Sequence, residues 1–270
     1  MKTTLLAVAA ICVGVGLTAV FASGQSRADE KPKRKLLFLT HSAGFQHSSI
    51  TRPKDKPDEL SHAEKILTEI GGKAGIEVTC TKDCSLINAE NLKKYDAVFF
   101  YTTGDLPIPK RQDLLDYVKG GKGFIGSHCA TDTFHNWSEG DKKPYIDMIG
   151  AEFATHHAQE EARVEVVDAK FPATAHIKGT DFRINDEWYV FKNMSPEIHP
   201  VLVLDTKSMK QEKYNTLDPY PIAWSRQYGK GRVFFTGMGH REDVWEKDLF
   251  QEHVIAGIKW AMGDLPDKSK

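Results

Sequence analysis

The segment Gly123-Phe-Ile-Gly-Ser-His-Cys-Ala130 contains the turn on which the interpretation of this chain depends. Its short apolar run ends in glycine, and a histidine follows two residues later, an order typical of a buried strand that turns sharply before a helix. Open α/β sheets bind ligands at the carboxyl ends of their strands. Enzymes with a nucleophile elbow place Ser or Cys at the tip of such a turn. Here the tip residue is His128, and Cys129 follows it.

On the N-terminal side of this turn, strand patterns and helix patterns alternate. Ser61 and Glu64 match a capping box, and Gly71-Gly72 is expected to end the helix that they begin. Strand alternating with helix predicts an α/β fold, with a mainly parallel sheet and helices on both faces. The predicted strands are Lys35–Thr40, Ile76–Thr81, Tyr95–Tyr101 and Gly123–Gly126, and the predicted helices are Ser61–Ile70 and Pro109–Lys119.

On the C-terminal side, the pattern is rich in β-strands. Arg163–Asp168 alternates like a half-exposed strand, and Val201–Leu204 is a short apolar strand. Arg226–Thr236 predicts a hairpin that turns at Gly229-Lys230-Gly231. Leu249–Met262 has the spacing of a terminal helix.

The first 24 residues are predicted to be a signal peptide, because a lysine precedes a long apolar run that ends in small residues. Residues 25–34 are charged and aperiodic and predict a disordered leader. Residues 35–264 suit one domain, and 265–270 form a tail. The protein is therefore expected to be exported, to the periplasm or the outside of the cell, without stable insertion into a membrane. The alternative is an uncleaved N-terminal membrane anchor.

The chain of 270 residues carries 36 Lys and Arg against 37 Asp and Glu, a net charge of −1. This balance does not favour a nucleic-acid partner. Export would leave three cysteines. Cys80 and Cys84 are able to pair in an oxidising compartment, and Cys129 would then stay free.

Several of the eleven histidines fall in loops or directly after predicted strands. Together with Glu187, which lies beside Asp186 in an aromatic segment, they suggest two kinds of site. Neutral imidazoles and a carboxylate bind a divalent metal such as Zn²⁺, or a carboxylate and a histidine act as a base and acid pair. The candidate catalytic residues are His128, Glu187 and His240, and the candidate metal ligands are these three together with His156.

The candidate substrate contacts are His47, Trp137 and Tyr189, because aromatic rings stack on sugar faces, although core packing is the commoner role of tryptophan. Patterns for nucleotide binding are absent, so no nucleotide cofactor is expected. A hydrolase triad would need Ser127 or Cys129 as its nucleophile, and both lie one residue from the tip of the turn.

Six motifs in the same order make the chain similar to the ThuA-like (trehalose-utilisation) family, which shares its fold with class I glutamine amidotransferases. The resemblance runs from about Lys35 to Gly263 and implies a flavodoxin-like three-layer sandwich. The motifs are Gly-Phe-Gln-His47, Tyr95-Asp96, Gly123–His128, Gly150–His156, Asp186–Tyr189, and Pro221–Trp224 through Gly229–Arg232 to Gly239-His240.

In the related amidotransferases the elbow carries a nucleophilic cysteine. Here the matching position is His128, and Cys129 is out of register, so glutamine hydrolysis is not expected. The family is linked to disaccharides and their oxidised 3-keto derivatives. The resemblance therefore implies an exported enzyme that hydrolyses, eliminates or isomerises such a sugar. Two alternatives stay open: a non-catalytic module that binds a carbohydrate or a partner, and a metal-dependent hydrolase of a non-sugar substrate.

Overall fold

A computed structural model describes residues 33–140, 143–211, 214 and 219–266. The predicted signal peptide, most of the predicted leader and residues 267–270 of the predicted tail lie outside the described residues. The first strand begins at Arg34, the last residue of that leader. Within the described part of the chain, every helix is too short or too polar to cross a membrane.

Strands and helices alternate up to the elbow, and strands dominate after it. The strands are β1 (Arg34–Leu39), β2 (Ile76–Thr81), β3 (Ala97–Phe100), β4 (Gly123–Ser127), β5 (Glu152–His156), β6 (Glu160–Val166), β7 (Asp181–Asp186), β8 (Tyr189–Lys192), β9 (His199–Leu204), β10 (Tyr220–Tyr228) and β11 (Gly231–Thr236). The helices are α1 (His62–Lys73), α2 (Ala89–Leu92), α3 (Gln112–Lys119), α4 (Pro144–Ile149), α5 (Glu242–Trp245) and α6 (Asp248–Ala261).

Nine of these strands form one mixed sheet in the order β2-β1-β3-β4-β11-β10-β9-β6-β7. The α/β class is confirmed, but only the half from β2 through β11 is parallel. The half from β11 through β7 is antiparallel, because the predicted hairpin reverses the chain between β10 and β11. Strands β5 and β8 pair with each other in a separate antiparallel ribbon that the sequence patterns did not predict.

The parallel half of the sheet separates two hydrophobic cores, because successive side chains of a strand point to opposite faces. Leu36 and Phe38 of β1 pack in one core with residues of α1, α5 and α6. Leu37 and Leu39 pack in the other core with residues of α3 and α4. The carboxyl ends of β1, β3, β4 and β11 therefore lie side by side at one edge, where the loops that follow them meet.

Helix α1 begins as predicted but does not end at its glycine pair. The Glu64 carboxylate accepts a hydrogen bond of 2.8 Å from the backbone N–H of Ser61, which completes the predicted capping box. The helix continues through Gly71-Gly72 to Lys73. A Cβ atom at Gly71 would lie 2.6 Å from Cγ2 of Val78 on β2. Gly71 therefore allows the close packing of helix on strand, and it is not a stop signal.

All three cysteines of the described chain are free thiols. A disulfide between Cys80 and Cys84 is ruled out by the positions of the two residues, which belong to different cores. Cys80 packs against the core on the α1 side of the sheet, and Cys84 lies in the core on the α3 side. The sheet separates the two sulfur atoms.

Candidate metal centre

His128 occupies the turn directly after β4 with a φ of +46°. A left-handed backbone is uncommon for a bulky side chain and is typical of functional turns. The Nδ1 atom of His128 lies 3.2 Å from the carbonyl oxygen of Gly237, which can only accept a hydrogen bond. Nδ1 therefore carries the proton, and Nε2 presents its lone pair to the site. The sharp turn predicted at this position is confirmed.

Four side chains from distant parts of the sequence converge at this turn. Their ligand atoms all lie within 4.8 Å of one another. Nε2 of His128 lies 3.1 Å from Nδ1 of His240, and Oε2 of Glu187 lies 3.2 Å from the same His240 atom. His47 completes the group, with its ring centre 5.0 Å from that of His128. We call His47, His128, Glu187 and His240 the His₃Glu cluster.

His47 comes from the long loop after β1 and is almost fully buried. Its Nδ1 atom is buried and makes no hydrogen bond to any described residue. Burial, with His128 and His240 beside it, lowers the pKa of His47 to about 2. The imidazole is therefore neutral at physiological pH, which is the form that binds metals.

Glu187 connects the cluster to a fifth side chain. Burial alone would raise the pKa of Glu187, but the neighbouring imidazoles of His128 and His240 outweigh burial and hold this pKa well below its usual range. Its second oxygen, Oε1, lies 3.2 Å from Nδ1 of His156, whose side chain is 46% exposed. His156, a predicted metal ligand, therefore lies beside the carboxylate and outside the four-residue cluster.

Asp186 holds two of the ligand-bearing segments together. It is fully buried, and burial raises its pKa. One carboxylate oxygen accepts a hydrogen bond of 2.9 Å from the backbone N–H of Glu187, and the other accepts one of 2.7 Å from that of Gly239. The two members of the acidic pair thus have different roles, because Glu187 reaches the cluster and Asp186 fixes the backbone.

The segment that carries His240 is held by further hydrogen bonds. The carbonyl oxygen of Gly239 accepts from the Tyr101 hydroxyl at 2.9 Å and from the Trp245 indole at 2.8 Å. Gly239 has a φ of +111°, and a Cβ atom there would lie 3.0 Å from Oγ of Ser127. The cluster is therefore built on a backbone that is fixed before any ligand binds, as precise sites require.

A pocket of about 210 Å³ opens onto the cluster. The ring of Tyr189 forms one wall, with its centre 4.2 Å from that of His128 and 4.3 Å from that of Phe153. Phe45 is 67% exposed at this pocket, which is unusual for a large apolar side chain. The pocket is lined by Phe45, His47, Asp132, Phe153, His156, Glu187 and Tyr189.

The other predicted site residues lie elsewhere. Trp137 packs edge-on against Phe134 and near the guanidinium of Arg111, and it is not among the residues that line this pocket. The Cys129 thiol is fully buried, and burial raises its pKa well above the usual range. Such a thiol is a poor nucleophile.

Sequence reasoning missed Asp132, Phe45 and Phe153 as residues of the pocket. Phe45 lies within the Gly-Phe-Gln-His47 motif, of which only the histidine was a candidate site residue. Asp132 follows the elbow by four residues, at the end of a 3₁₀ turn. Its position four residues after His128 is the sequence signal that could have pointed to it.

The sequence profile of the ThuA family, described as trehalose utilisation, matches residues 35–261. The chain belongs to the ThuA family. The resemblance predicted from the six motifs is thereby confirmed. No curated protein sequence matches the chain.

Solved structures of ThuA-like proteins have the same fold. A ThuA-like protein from Bacteroides uniformis has 18% sequence identity and a TM-score of 0.68, over 91% of this chain and 97% of its own. One from Parabacteroides merdae has 18% identity and a TM-score of 0.65, over 87% of this chain and 91% of its own. A β-galactosidase from Bacillus circulans matches with 9% identity and a TM-score of 0.53, over 86% of this chain but only 31% of its own. These likenesses establish the fold alone.

Proposed function

We propose that this ThuA-family protein is an exported, metal-dependent enzyme that acts on a disaccharide or an oxidised 3-keto sugar by hydrolysis, elimination or isomerisation. The observation that carries the proposal is the His₃Glu cluster, whose ligand atoms lie within 4.8 Å of one another at an aromatic pocket. The family link to trehalose utilisation supports a sugar as the substrate.

The donor set of the cluster fits a divalent transition metal. Three imidazoles and one carboxylate are ligands that suit zinc and related ions. The buried Nδ1 of His47 has no hydrogen-bond partner among the described residues, and a metal ion would supply one. The Gly237 carbonyl fixes the tautomer of His128, as outer-shell partners do in metal sites. A bound ion would act as a Lewis acid that polarises a carbonyl or lowers the pKa of water.

The pocket residues outside the cluster are suited to hold a sugar. Phe45, Phe153 and Tyr189 offer ring faces against which the C–H face of a sugar packs. His156 lies at the rim with its ring half-exposed, where it is able to exchange a proton with a hydroxyl group. The volume of about 210 Å³ is below the roughly 300–1,000 Å³ of most ligand sites. We therefore infer that it holds one ring of a disaccharide while the second ring extends past Phe45.

Three further inferences belong to this proposal. The buried Cys129, with its raised pKa, supports the view that the protein is not a glutamine amidotransferase. The two cores on opposite sides of the parallel strands support a three-layer arrangement of amidotransferase type. Export is inferred from the N-terminal signal pattern alone.

Elemental analysis of the untagged protein tests the metal. The wild type is expected to carry about one equivalent of a divalent transition metal. Glu187→Gln and His128→Ala are each expected to lose most of it and to lose turnover of 3-keto-glycosides. Glu161→Gln is a matched control, because Glu161 is exposed and, among the described residues, forms its ion pair with Arg183. A metal-free wild type, or full turnover by both cluster variants, would overturn the proposal.

A further inference from the structure

We propose that Asp132 is the catalytic base of this pocket, and that His135 and Glu152 are positioning residues that hold it there. The inference rests on the proposed function, because it names the proton acceptor for the same substrate. Asp132 lines the pocket together with Glu187, Tyr189 and His156. It is not a member of the His₃Glu cluster, so its carboxylate stays free for proton transfer when a metal occupies the cluster.

A continuous chain of hydrogen bonds supports Asp132 from behind. Oδ1 of Asp132 is hydrogen-bonded to Nε2 of His135. On the other side of the ring, Nδ1 of His135 lies 3.1 Å from Oε1 of Glu152. Carboxylate oxygens only accept hydrogen bonds when they are ionised, so both ring nitrogens of His135 are donors. The geometry therefore describes an imidazolium between two carboxylates.

The charges around His135 agree with this state. The hydrogen bond with Asp132 raises the pKa of His135 above its usual value, against the effect of burial, and Glu152 adds to the rise. Two cations, Lys143 and Lys192, also approach this group, but both contact Glu152 and not the imidazole. The ring of His135 therefore holds the Asp132 carboxylate in a fixed orientation at the pocket.

Glu152 anchors the chain in the protein. Its side chain is 1% exposed. It accepts hydrogen bonds of 2.7 Å from Lys143 and of 2.7 Å from Asn193, in addition to His135. Burial alone would raise the pKa of Glu152, but these donors outweigh burial and lower it to about 2. Lys143 and Asn193 already donate hydrogen bonds to both oxygens of Glu152. The additional contact with His135 therefore orients the imidazole and, through it, Asp132.

The free oxygen of Asp132 is the atom that would act. The hydrogen bond to His135 uses Oδ1, and Oδ2 has no hydrogen-bond partner among the described residues. The side chain is 21% exposed, as expected for a group at a pocket surface. Oδ2 is therefore available to a substrate proton, whereas Nδ1 of His156, the alternative base, is already occupied by Glu187.

For a 3-keto sugar the step balances as an elimination. The C–H bond beside the carbonyl breaks, and its proton moves to Oδ2 of Asp132. The electron pair of that bond forms a C=C bond, and the glycosidic C–O bond breaks. Asp132 returns the proton to the departing oxygen, which leaves as an alcohol. The carboxylate ends unchanged, and no oxidant or reductant is needed.

The test uses the full-length, metal-loaded protein and 4-nitrophenyl 3-keto-glucoside. Two rates are measured: the release of nitrophenolate, and the exchange of the acidic proton with D₂O by NMR. Asp132→Asn is expected to lower both rates by at least about 100-fold, the usual scale of a general base, with unchanged metal content. Asp116→Asn is the matched control, because Asp116 is exposed on α3 and its carboxylate accepts a hydrogen bond from the neighbouring Gln112 side chain, far from the pocket residues in the sequence. If Asp132→Asn does not fold, Asp132→Glu replaces it, since it keeps the charge but displaces the oxygen.

His135→Gln separates a positioning role from a structural one. Loss of the hydrogen bond from His135 leaves the Asp132 carboxylate unheld at the pocket, so kcat is expected to fall by roughly tenfold or more. KM and the metal content are expected to stay unchanged. A rate for Asp132→Asn within about threefold of the wild type, or an unchanged kcat in His135→Gln, would overturn this inference alone. A wild type with neither metal nor exchange activity would overturn the proposed function, and the role of Asp132 with it.

Discussion

At the scale of single residues, the backbone and tautomer of His128 determine how its ring faces the site. Its positive φ costs on the order of 1–3 kcal/mol, which the surrounding structure must offset. The hydrogen bond from Nδ1 to Gly237 contributes to that offset and also selects the tautomer. The same contact therefore stabilises the turn and prepares Nε2 as a ligand.

Asp186 is the residue for which a single-atom change is most informative. In Asp186→Asn one of the two hydrogen bonds, from Glu187 N–H or Gly239 N–H, loses its acceptor in a buried site. We expect a loss of about 1–3 kcal/mol in the free energy of unfolding and a roughly 10–100-fold weaker metal affinity. Urea unfolding and metal titration measure the two effects. Asp181→Asn, on the exposed end of the same strand, is the control and should change neither quantity by a comparable amount.

His253 makes stability depend on pH. It is fully buried, and burial lowers its pKa to about 4 from the usual 6.5. Below pH 6.5 the unfolded chain therefore binds a proton that the folded chain does not. The stability contributed by the neutral ring is complete above pH 6.5 and is lost as the pH falls toward 4, by about 3 kcal/mol in all.

His253→Phe removes this titration. Urea unfolding from pH 7 to pH 4 should give a shallower loss of stability for the variant, with the slopes differing by up to about 1.4 kcal/mol per pH unit. The Phe variant also loses the hydrogen bond of 2.8 Å between Nδ1 and the Ala173 carbonyl, so its stability at pH 7 is not the test. Parallel curves would show that His253 is protonated in the folded protein.

At the scale of elements, helix α1 depends on its close approach to strand β2. In Gly71→Ala the new methyl group would meet Cγ2 of Val78 at 2.6 Å, and a branched side chain has little freedom to move. We expect a loss of about 1–3 kcal/mol, typical of overpacking. Gly72→Ala is the adjacent control. No atom of a described residue lies within 4 Å of its Cβ position, so the substitution should be neutral or stabilise by up to about 1 kcal/mol. Urea unfolding of the two variants measures this difference. Equal midpoints would contradict the predicted role of Gly71.

The ribbon of β5 and β8 is the element that builds the pocket walls. It contributes Phe153 and His156 from one strand and Tyr189 from the other, and Glu152 at its edge supports Asp132 through His135. The pairing has an irregularity between Phe153 and Thr155. Such irregularities redirect side chains next to active sites.

At the scale of the whole molecule, the cluster connects four segments that are far apart in the sequence. His47, His128, Glu187 and His240 come from the loops after β1, β4, β7 and β11. A ligand that binds only the folded state stabilises it by about 2.7 kcal/mol at 100 times its dissociation constant. We therefore expect Zn²⁺ to raise the melting temperature of chelator-treated protein.

This increase should disappear in Glu187→Gln and persist in Glu161→Gln. Differential scanning calorimetry with and without Zn²⁺ measures it. An equal increase in both variants would show that the ion binds elsewhere.

Much of the architecture was predictable from local patterns. The compact apolar runs predicted β1, β2 and β3, Ser61 with Glu64 predicted the start of α1, and the hairpin before β11 was found at its turn. These features depend on periodicity and turn chemistry, which act between neighbours in the sequence. The end of α1 was mispredicted because Gly71 is required for close packing against Val78, a residue of another element.

For the site, the sequence identified the residue types, and the tertiary structure selected their partners. His128, Glu187 and His240 were candidates because they follow strands or lie in an unusual aromatic setting, and His47 was assigned to substrate instead of the cluster. The cluster contains His47, and His156 lies outside it, because of loops that meet only after the sheet has formed. The chain from Asp132 through His135 to Glu152 also depends on loops that meet in this way. Local sequence specifies the turn that presents each side chain, but the free energy of long-range packing determines which of them come within bonding distance.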